Sequence, residues 1–227
     1  MMQETIYPDT DSCCQALAKD MAAQLSMALG KTKGKVSFAV SGGRTPRKVF
    51  EALSKTDIDW PRVVVTLTDE RWVAADDVDS NERLVRRFLI KGYAVKVPFI
   101  AFKTNDRTAE QGAEQVHRSL QKIPWPLDVI YLGMGADGHI ASLFTEQNRA
   151  NSELTVVSAE ALNSPKERLS LSLDAIKSAH VIYLQLSGLE KIRTFQNAKD
   201  NKFAPSSAVQ ALIKTSADKC RVFISNS

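Results

Sequence analysis

The densest chemistry of this chain lies in Gly133–Phe144, GMGADGHIASLF, where an aspartate and a histidine stand two residues apart among glycines. Imidazole is the side chain whose ordinary titration range falls near neutrality, so it accepts a proton readily at cellular pH. His139 is therefore a candidate general base, and Asp137 is close enough to orient or polarise it. A helix-end capping role is the plain alternative, but glycines on both sides of the Asp-His pair favour catalysis. The other two histidines carry less. His117 lies mid-helix among Gln115, Arg118 and Ser119 and reads as solvent-facing, whereas His180 precedes an apolar run and reads as structural.

Three more segments are chemically loaded. Ser41-Gly42-Gly43-Arg44-Thr45-Pro46 lies between an apolar run and a helix start, with Thr45 placed as N-cap and Pro46 at the first helical position. Its glycines let a ligand approach, and free N–H groups, the hydroxyls of Ser41 and Thr45 and the Arg44 guanidinium would complete a phosphate cradle. An ordinary turn with a good cap reads equally well, and the Lys-Ser/Thr pair of a P-loop is missing. Asp69-Glu70-Arg71-Trp72 ends another apolar run. Arg71 suits pairing with a carboxylate or steadying an oxyanion, and Asp69 suits a base or an orienting group. Lys166, Arg168 and Lys191 are ordinary surface charge taken singly and candidate phosphate ligands taken together.

Gly133, Gly135 and Gly138 also match the dinucleotide fingerprint G-x-G-x-x-G, with Glu160 downstream as a ribose-binding acid. Asp137 would then set a carboxylate beside a pyrophosphate. The fingerprint also belongs to a first βαβ unit, and this one follows several others. The dinucleotide reading is the weaker one.

The elements that must hold these segments are legible as a pattern. KVSFAV (Lys35–Val40), RVVVTLT (Arg62–Thr68), LDVIYL (Leu127–Leu132), HVIYLQL (His180–Leu186) and CRVFIS (Cys220–Ser225) are β-branched or apolar runs of strand length. Helical patterns separate them: Asp11–Leu29 with Gly30 as its C′ residue, a helix from Ser80 to near Gly92, Arg107–Gln121, one carrying Lys191, and Ala204–Lys214. Continuous apolar strands alternating with helices predict an α/β fold: a doubly wound, open, mostly parallel, Rossmann-like sheet with helices on both faces. Ligands of such sheets bind outside the carboxyl ends of the strands. Ser41–Pro46, Asp69–Trp72, Gly133–His139 and Ser187–Lys191 each follow a strand, so all four are expected to meet in one crevice.

Bulk properties narrow the class. With 227 residues, no repeat and no linker, residues 1–227 read as a single domain with room for a real core. No apolar run reaches the length of a membrane span, and the polar N-terminus shows no signal peptide. Cys13 and Cys14 are adjacent and read as small helix residues, and Cys220 as a strand start, which points to a reducing cytoplasm. The net charge of +4 comes from 30 basic and 26 acidic residues, interleaved. Even the Arg83, Arg86 and Arg87 cluster sits beside Asp76, Asp77, Asp79 and Glu82, so no basic stripe suggests nucleic acid.

SGGRTP, TDERWV, Ser80-Asn81, DVIYLGMGADGHIASLF, PKERLSLSL and SGLEK together resemble the 6-phosphogluconolactonase family, within the group that also holds glucosamine-6-phosphate deaminase/isomerase. The resemblance implies a cytoplasmic pentose-phosphate-pathway enzyme that hydrolyses 6-phosphogluconolactone with no metal or cofactor. It makes His139 the base that activates water and Asp137 and Arg71 its charged neighbours. The phosphate would sit on Ser41, Gly42, Gly43, Arg44 and Thr45, with Arg168 and Lys191 closing over it. Arg44 stands where Ser is frequent, and Thr145 where Pro often follows. The deaminase branch carries a glutamate five residues after the histidine; Phe144 occupies that place here and cannot transfer a proton. A non-catalytic sugar-phosphate-binding regulator is the remaining alternative, but no DNA-binding helix pair precedes residue 35. The expected partner is a small molecule, with no nucleic acid or membrane, and the expected state a monomer or weak homodimer.

Overall fold

The computed structural model describes residues 2–43, 45–144, 154–203 and 207–226. In chain order its elements are β1 Gln3–Tyr7, α1 Thr10–Gly30, β2 Val36–Val40, α2 Pro46–Leu53, β3 Val63–Leu67, β4 Asp69–Arg71, α3 Asn81–Phe88, β5 Phe99–Ile100 and α4 Ala109–Leu120. Then follow β6 Val129–Gly133, β7 Val156–Glu160, β8 Glu167–Leu171, α5 Leu173–Ser178, β9 Val181–Ser187, α6 Leu189–Lys199, α7 Ala208–Ser216 and β10 Cys220–Ser225.

Seven strands form one sheet in the order β1-β10-β9-β6-β2-β3-β5, every pair parallel. Because β2 and β3 are buried at every position, they must be covered on both faces, and their uninterrupted apolar runs follow from that. Helix α1 buries Cys13, Cys14, Leu17, Met21 and Leu25 along one stripe. Each large apolar side chain so buried contributes about 1.5–3 kcal/mol relative to exposure. The chain runs outward from β2 to β3 and β5, then returns to β6 on the other side of β2 and continues through β9 and β10. The β2/β6 boundary is thus a topological switch point, where the loops leaving two neighbouring strands part and open a crevice.

A second sheet, antiparallel, has the order β4-β8-β7. Thr68 joins the two: its N–H donates to Val40 O at 3.0 Å and its carbonyl accepts from Leu171 N at 2.8 Å. Asp69–Arg71, expected as a strand-end loop, is therefore a short strand of this sheet. Several boundaries also differ from expectation. Gly30 is the last residue of α1, and Lys31, in the right-handed region, takes the cap. Helix α3 stops at Phe88, and a 3-10 turn follows at Gly92–Lys96. Helix α4 starts after Thr108, which forms a capping box with Gln111, and excludes Arg107. Thr45 precedes Pro46 as expected, yet it is right-handed and its side chain caps nothing. Of the expected helix Ala204–Lys214, positions 204–206 lie outside the described residues, and α7 extends to Ser216.

His117 is not a free surface group. Its Nδ1 accepts from Thr155 N at 3.1 Å, which ties α4 to the residues leading into β7. His180 is exposed, and its backbone N–H donates to Leu127 O at 2.9 Å. Cys13 and Cys14 lie buried on α1, and Cys220 opens β10.

Candidate active site

All four strand-end segments meet at the switch point. A cavity of about 230 Å³ is walled by Ser41, Gly42, Gly43 and Thr45 after β2, by Asp69 and Arg71 after β3, by Gly135 and His139 after β6, and by Lys191 on α6. A neighbouring cavity of about 240 Å³ shares Asp69, Arg71, His139 and Ala141, and adds Asp137, Phe144 and Arg168. His139 stands between the two.

The loop after β6 folds back on itself. Gly135 N donates to His139 O at 2.9 Å, and Met134 bridges Ile140. From Met134 to Phe144 the backbone makes turns and a bridge where the helix start of a dinucleotide fingerprint would stand. The tight return brings the His139 Nδ1 to 2.5 Å from Asp137 Oδ1, with His139 N also donating to that oxygen at 3.2 Å. The imidazole hydrogen bond is the main cause that lowers the Asp137 carboxyl to about 2. With Nδ1 given to a carboxylate, Nε2 is the ring nitrogen left to take a proton. This geometry needs Gly135: a Cβ there would lie 2.1 Å from His139 Cε1 and 2.6 Å from Asp137 Oδ1. Gly138 supplies the left-handed turn at φ +85°. The Phe144 ring packs against the imidazole, with centroids 4.7 Å apart.

The opposite wall is held by buried charge. Glu70 is fully buried and accepts four hydrogen bonds: from Arg71 N and Asn81 N at 2.7 Å, from Glu82 N at 2.7 Å and from Ser80 Oγ at 3.1 Å. Burial pushes its carboxyl up to about 7, against the pull of the three backbone N–H groups. In return Glu70 caps the start of α3 and fixes Asn81 and Arg71. The Asn81 side chain donates to Asp69 O at 2.8 Å and fills the space that a Cβ on Gly42 would need, 1.7 Å from its Oδ1. Asp69 accepts from Ser142 Oγ at 2.7 Å and from Thr68 Oγ1 at 3.3 Å; Thr68 in turn shares a hydrogen bond of 2.8 Å with Ser41 Oγ. Arg71 donates to Asp79 O at 2.5 Å. Arg168, paired across the sheet with Arg71, is buried, and its Nη1 has no hydrogen-bond partner among the described residues. Burial and then the Arg71 guanidinium pull its pKa below the usual arginine value, a strain that an anion would relieve.

Comparison with known proteins matches residues 8–217 to the family described as glucosamine-6-phosphate isomerases/6-phosphogluconolactonase. The chain belongs to this family. Among relatives named 6-phosphogluconolactonase, one from Rhizobium meliloti is 32% identical, with 96% of each chain covered. One from Pseudomonas aeruginosa is 37% identical over 81% of this chain and 79% of the relative. The crystal structure of a 6-phosphogluconolactonase from Shewanella baltica superposes with a TM-score of 0.92 at 35% identity, covering 99% and 98% of the two chains.

Within the isomerase/lactonase family frame, ten of the eleven site residues expected from sequence line one of the two cavities. The eleventh, Arg44, lies outside the described residues, as does Thr145. The structure divides the expected phosphate group: Lys191 shares a cavity with Ser41, Gly42, Gly43 and Thr45, whereas Arg168 lines the adjoining one with Asp137. Lys166 and the Arg83, Arg86 and Arg87 cluster line neither, and Arg86 instead pairs with Glu82 at 2.8 Å. The sequence reading missed Tyr131 and Gln185, which line the first cavity and bond to each other at 2.5 Å. A glutamine inside the apolar run HVIYLQL was the available signal. Ser142, which holds Asp69, had no signal beyond its place in the loop.

Proposed function

We propose that this protein hydrolyses 6-phospho-D-glucono-1,5-lactone to 6-phosphogluconate, a step of the pentose phosphate pathway, within one domain spanning residues 1–227. The observation that carries this reading is the Asp137–His139 pair, opening on a cavity whose far wall is the Ser41–Gly43 turn with Lys191. The substrate's phosphate docks on Ser41, Gly42, Gly43 and Thr45 with Lys191, and the buried Arg168 cation adds to the field. The lactone carbonyl then lies beside His139. Nε2 takes a proton from water as the water oxygen attacks C1. Arg71 stabilises the tetrahedral oxyanion. As the intermediate collapses, the bond from C1 to the ring oxygen breaks and the imidazolium returns its proton to that oxygen. Asp137 holds the imidazole tautomer and its charge. Asp69, with both carboxylate oxygens occupied by hydroxyl donors, orients the site and does not act as a base.

Phe144 separates this chemistry from amine elimination, which needs a further carboxylate for its proton transfers. An apolar ring against the imidazole supplies none. The protein acts on a small molecule in the cytoplasm without nucleic acid, membrane, metal or cofactor, as a monomer or weak homodimer. Among the described residues no helix is long and apolar enough to cross a membrane. A pH-stat assay with 6-phosphogluconolactone, run beside a deaminase assay with glucosamine 6-phosphate, tests the reading. Acid release from the lactone alone is expected; ammonia from the amino sugar, or no turnover of either, would overturn it.

A further inference from the structure

The base loop is tied to the helix that carries Lys191. Thr194, one turn further along α6, is buried, and its Oγ1 donates to Ala136 O at 2.6 Å, the residue just before Asp137. Residues three apart on a helix share a face, so Lys191 and Thr194 look toward the same crevice wall. Lys191 lines the cavity itself. Helix α7, packed on α6, makes a second tie: Val209 N donates to Gly138 O at 3.0 Å. The segment 136–138 thus has its two outer carbonyls held by two helices, while the Asp137 side chain between them is spent on His139. A shift of α6 along or across its axis must move Ala136, and with it the carboxylate that orients the base.

We propose that Thr194 is a positioning residue that couples anion binding at Lys191 to the alignment of Asp137 and His139. The proposal rests on the reading of Lys191 as a phosphate ligand. Seating the phosphate draws the first turn of α6 toward the Ser41–Gly43 turn, and the Thr194 hydroxyl carries that movement to the loop. The imidazole is then set for the lactone carbonyl when the phosphate is in place. The hydroxyl does this; the methyl group of the side chain only fills space. Thr194→Val keeps the shape and removes the donor, whereas Thr194→Ser keeps the donor.

The test has two arms. In steady-state assays Thr194→Val is expected to lower kcat about tenfold or more while KM changes by less than about twofold, since a misplaced catalytic group costs rate and not ground-state binding. Thr194→Ser restores kcat. In the second arm inorganic phosphate is titrated into the protein while the His139 ring-proton resonance, assigned by its loss in His139→Gln, is followed by NMR. Phosphate should move that resonance in the wild type and in Thr194→Ser. In Thr194→Val it should bind with little change in affinity and leave the resonance in place. A wild-type kcat in Thr194→Val overturns the proposal. So does a kcat loss in which KM and phosphate affinity worsen together and Ser does not rescue, because Thr194 would then be packing alone. Phosphate that binds the wild type without moving the resonance overturns the coupling, and phosphate that does not bind overturns the Lys191 reading with it. A wild-type protein that hydrolyses no lactone overturns the proposed function, while the NMR arm still decides the coupling.

Discussion

The two walls of the crevice are held by opposite means. On the large-sheet side, β2 and β6 are apolar strands buried in the core, and the loops that leave them are placed by missing side chains: Gly42 lets its turn pass against Asn81 of the facing wall, and Gly135 makes room for His139. On the small-sheet side, β4 is three residues long and carries Asp69, Glu70 and Arg71, the first two buried. Those charges are placed by hydrogen bonds, four of them to Glu70 alone. Placement by space separates activity from stability, because the strand beneath is already secure. Placement by buried charge fuses the two, because the same carboxylate that caps α3 also sets Arg71.

Substitutions on each wall should therefore fail differently. The largest effect is expected from Gly135→Ala. Its backbone is outside the left-handed region, so crowding alone decides, and the added Cβ displaces the imidazole. Turnover should drop about 100-fold, with only a small change in melting temperature. Equal losses of both would erase the contrast.

Glu70→Gln comes next. The amide must point an N–H at a backbone N–H or at the Ser80 hydroxyl, so about 1–3 kcal/mol of stability should be lost, measured by urea denaturation. The pH dependence sharpens the point. The folded protein holds the Glu70 proton more tightly than the unfolded chain, with a carboxyl raised from 4.5 to about 7. Its contribution is therefore full below about pH 4.5 and is lost as pH rises through about 7. Wild-type stability should fall across that window relative to Glu70→Gln, and parallel curves would contradict this burial account. Last comes Lys191→Ala, which should raise KM about tenfold through loss of one charged contact and lower kcat about as far as Thr194→Val does, because the bound phosphate no longer pulls on α6. An unchanged KM would remove Lys191 from the phosphate site.

The same contrast explains what the sequence made visible. The apolar runs that became β2, β3, β6, β9 and β10 are legible because burial on both faces forces an uninterrupted hydrophobic pattern. From them alone followed the parallel sheet and the expectation that four strand ends converge, and the cavity lining bears out that convergence. The small sheet was not legible. Asp69–Arg71 looks like a charged loop tip until its partners in β8 are known, and Val156–Glu160 is too short and mixed to stand out. Edge strand β1, QETIY, is mostly polar and pairs only on one side. His117 looked solvated because its partner, Thr155, lies 38 residues away. The need for glycine at position 135 arises from a ring folding back over the backbone, a contact that no local pattern encodes.

The central claim is that His139, held through Nδ1 by Asp137, is the base for lactone hydrolysis. Its most direct test is the initial rate of acid release from 6-phosphogluconolactone by wild type and His139→Ala in a pH-stat, with melting curves of both. Loss of a general base predicts a kcat lower by about 100- to 10,000-fold with the melting temperature nearly unchanged. Turnover near that of the wild type, in a variant that melts normally, would contradict the account.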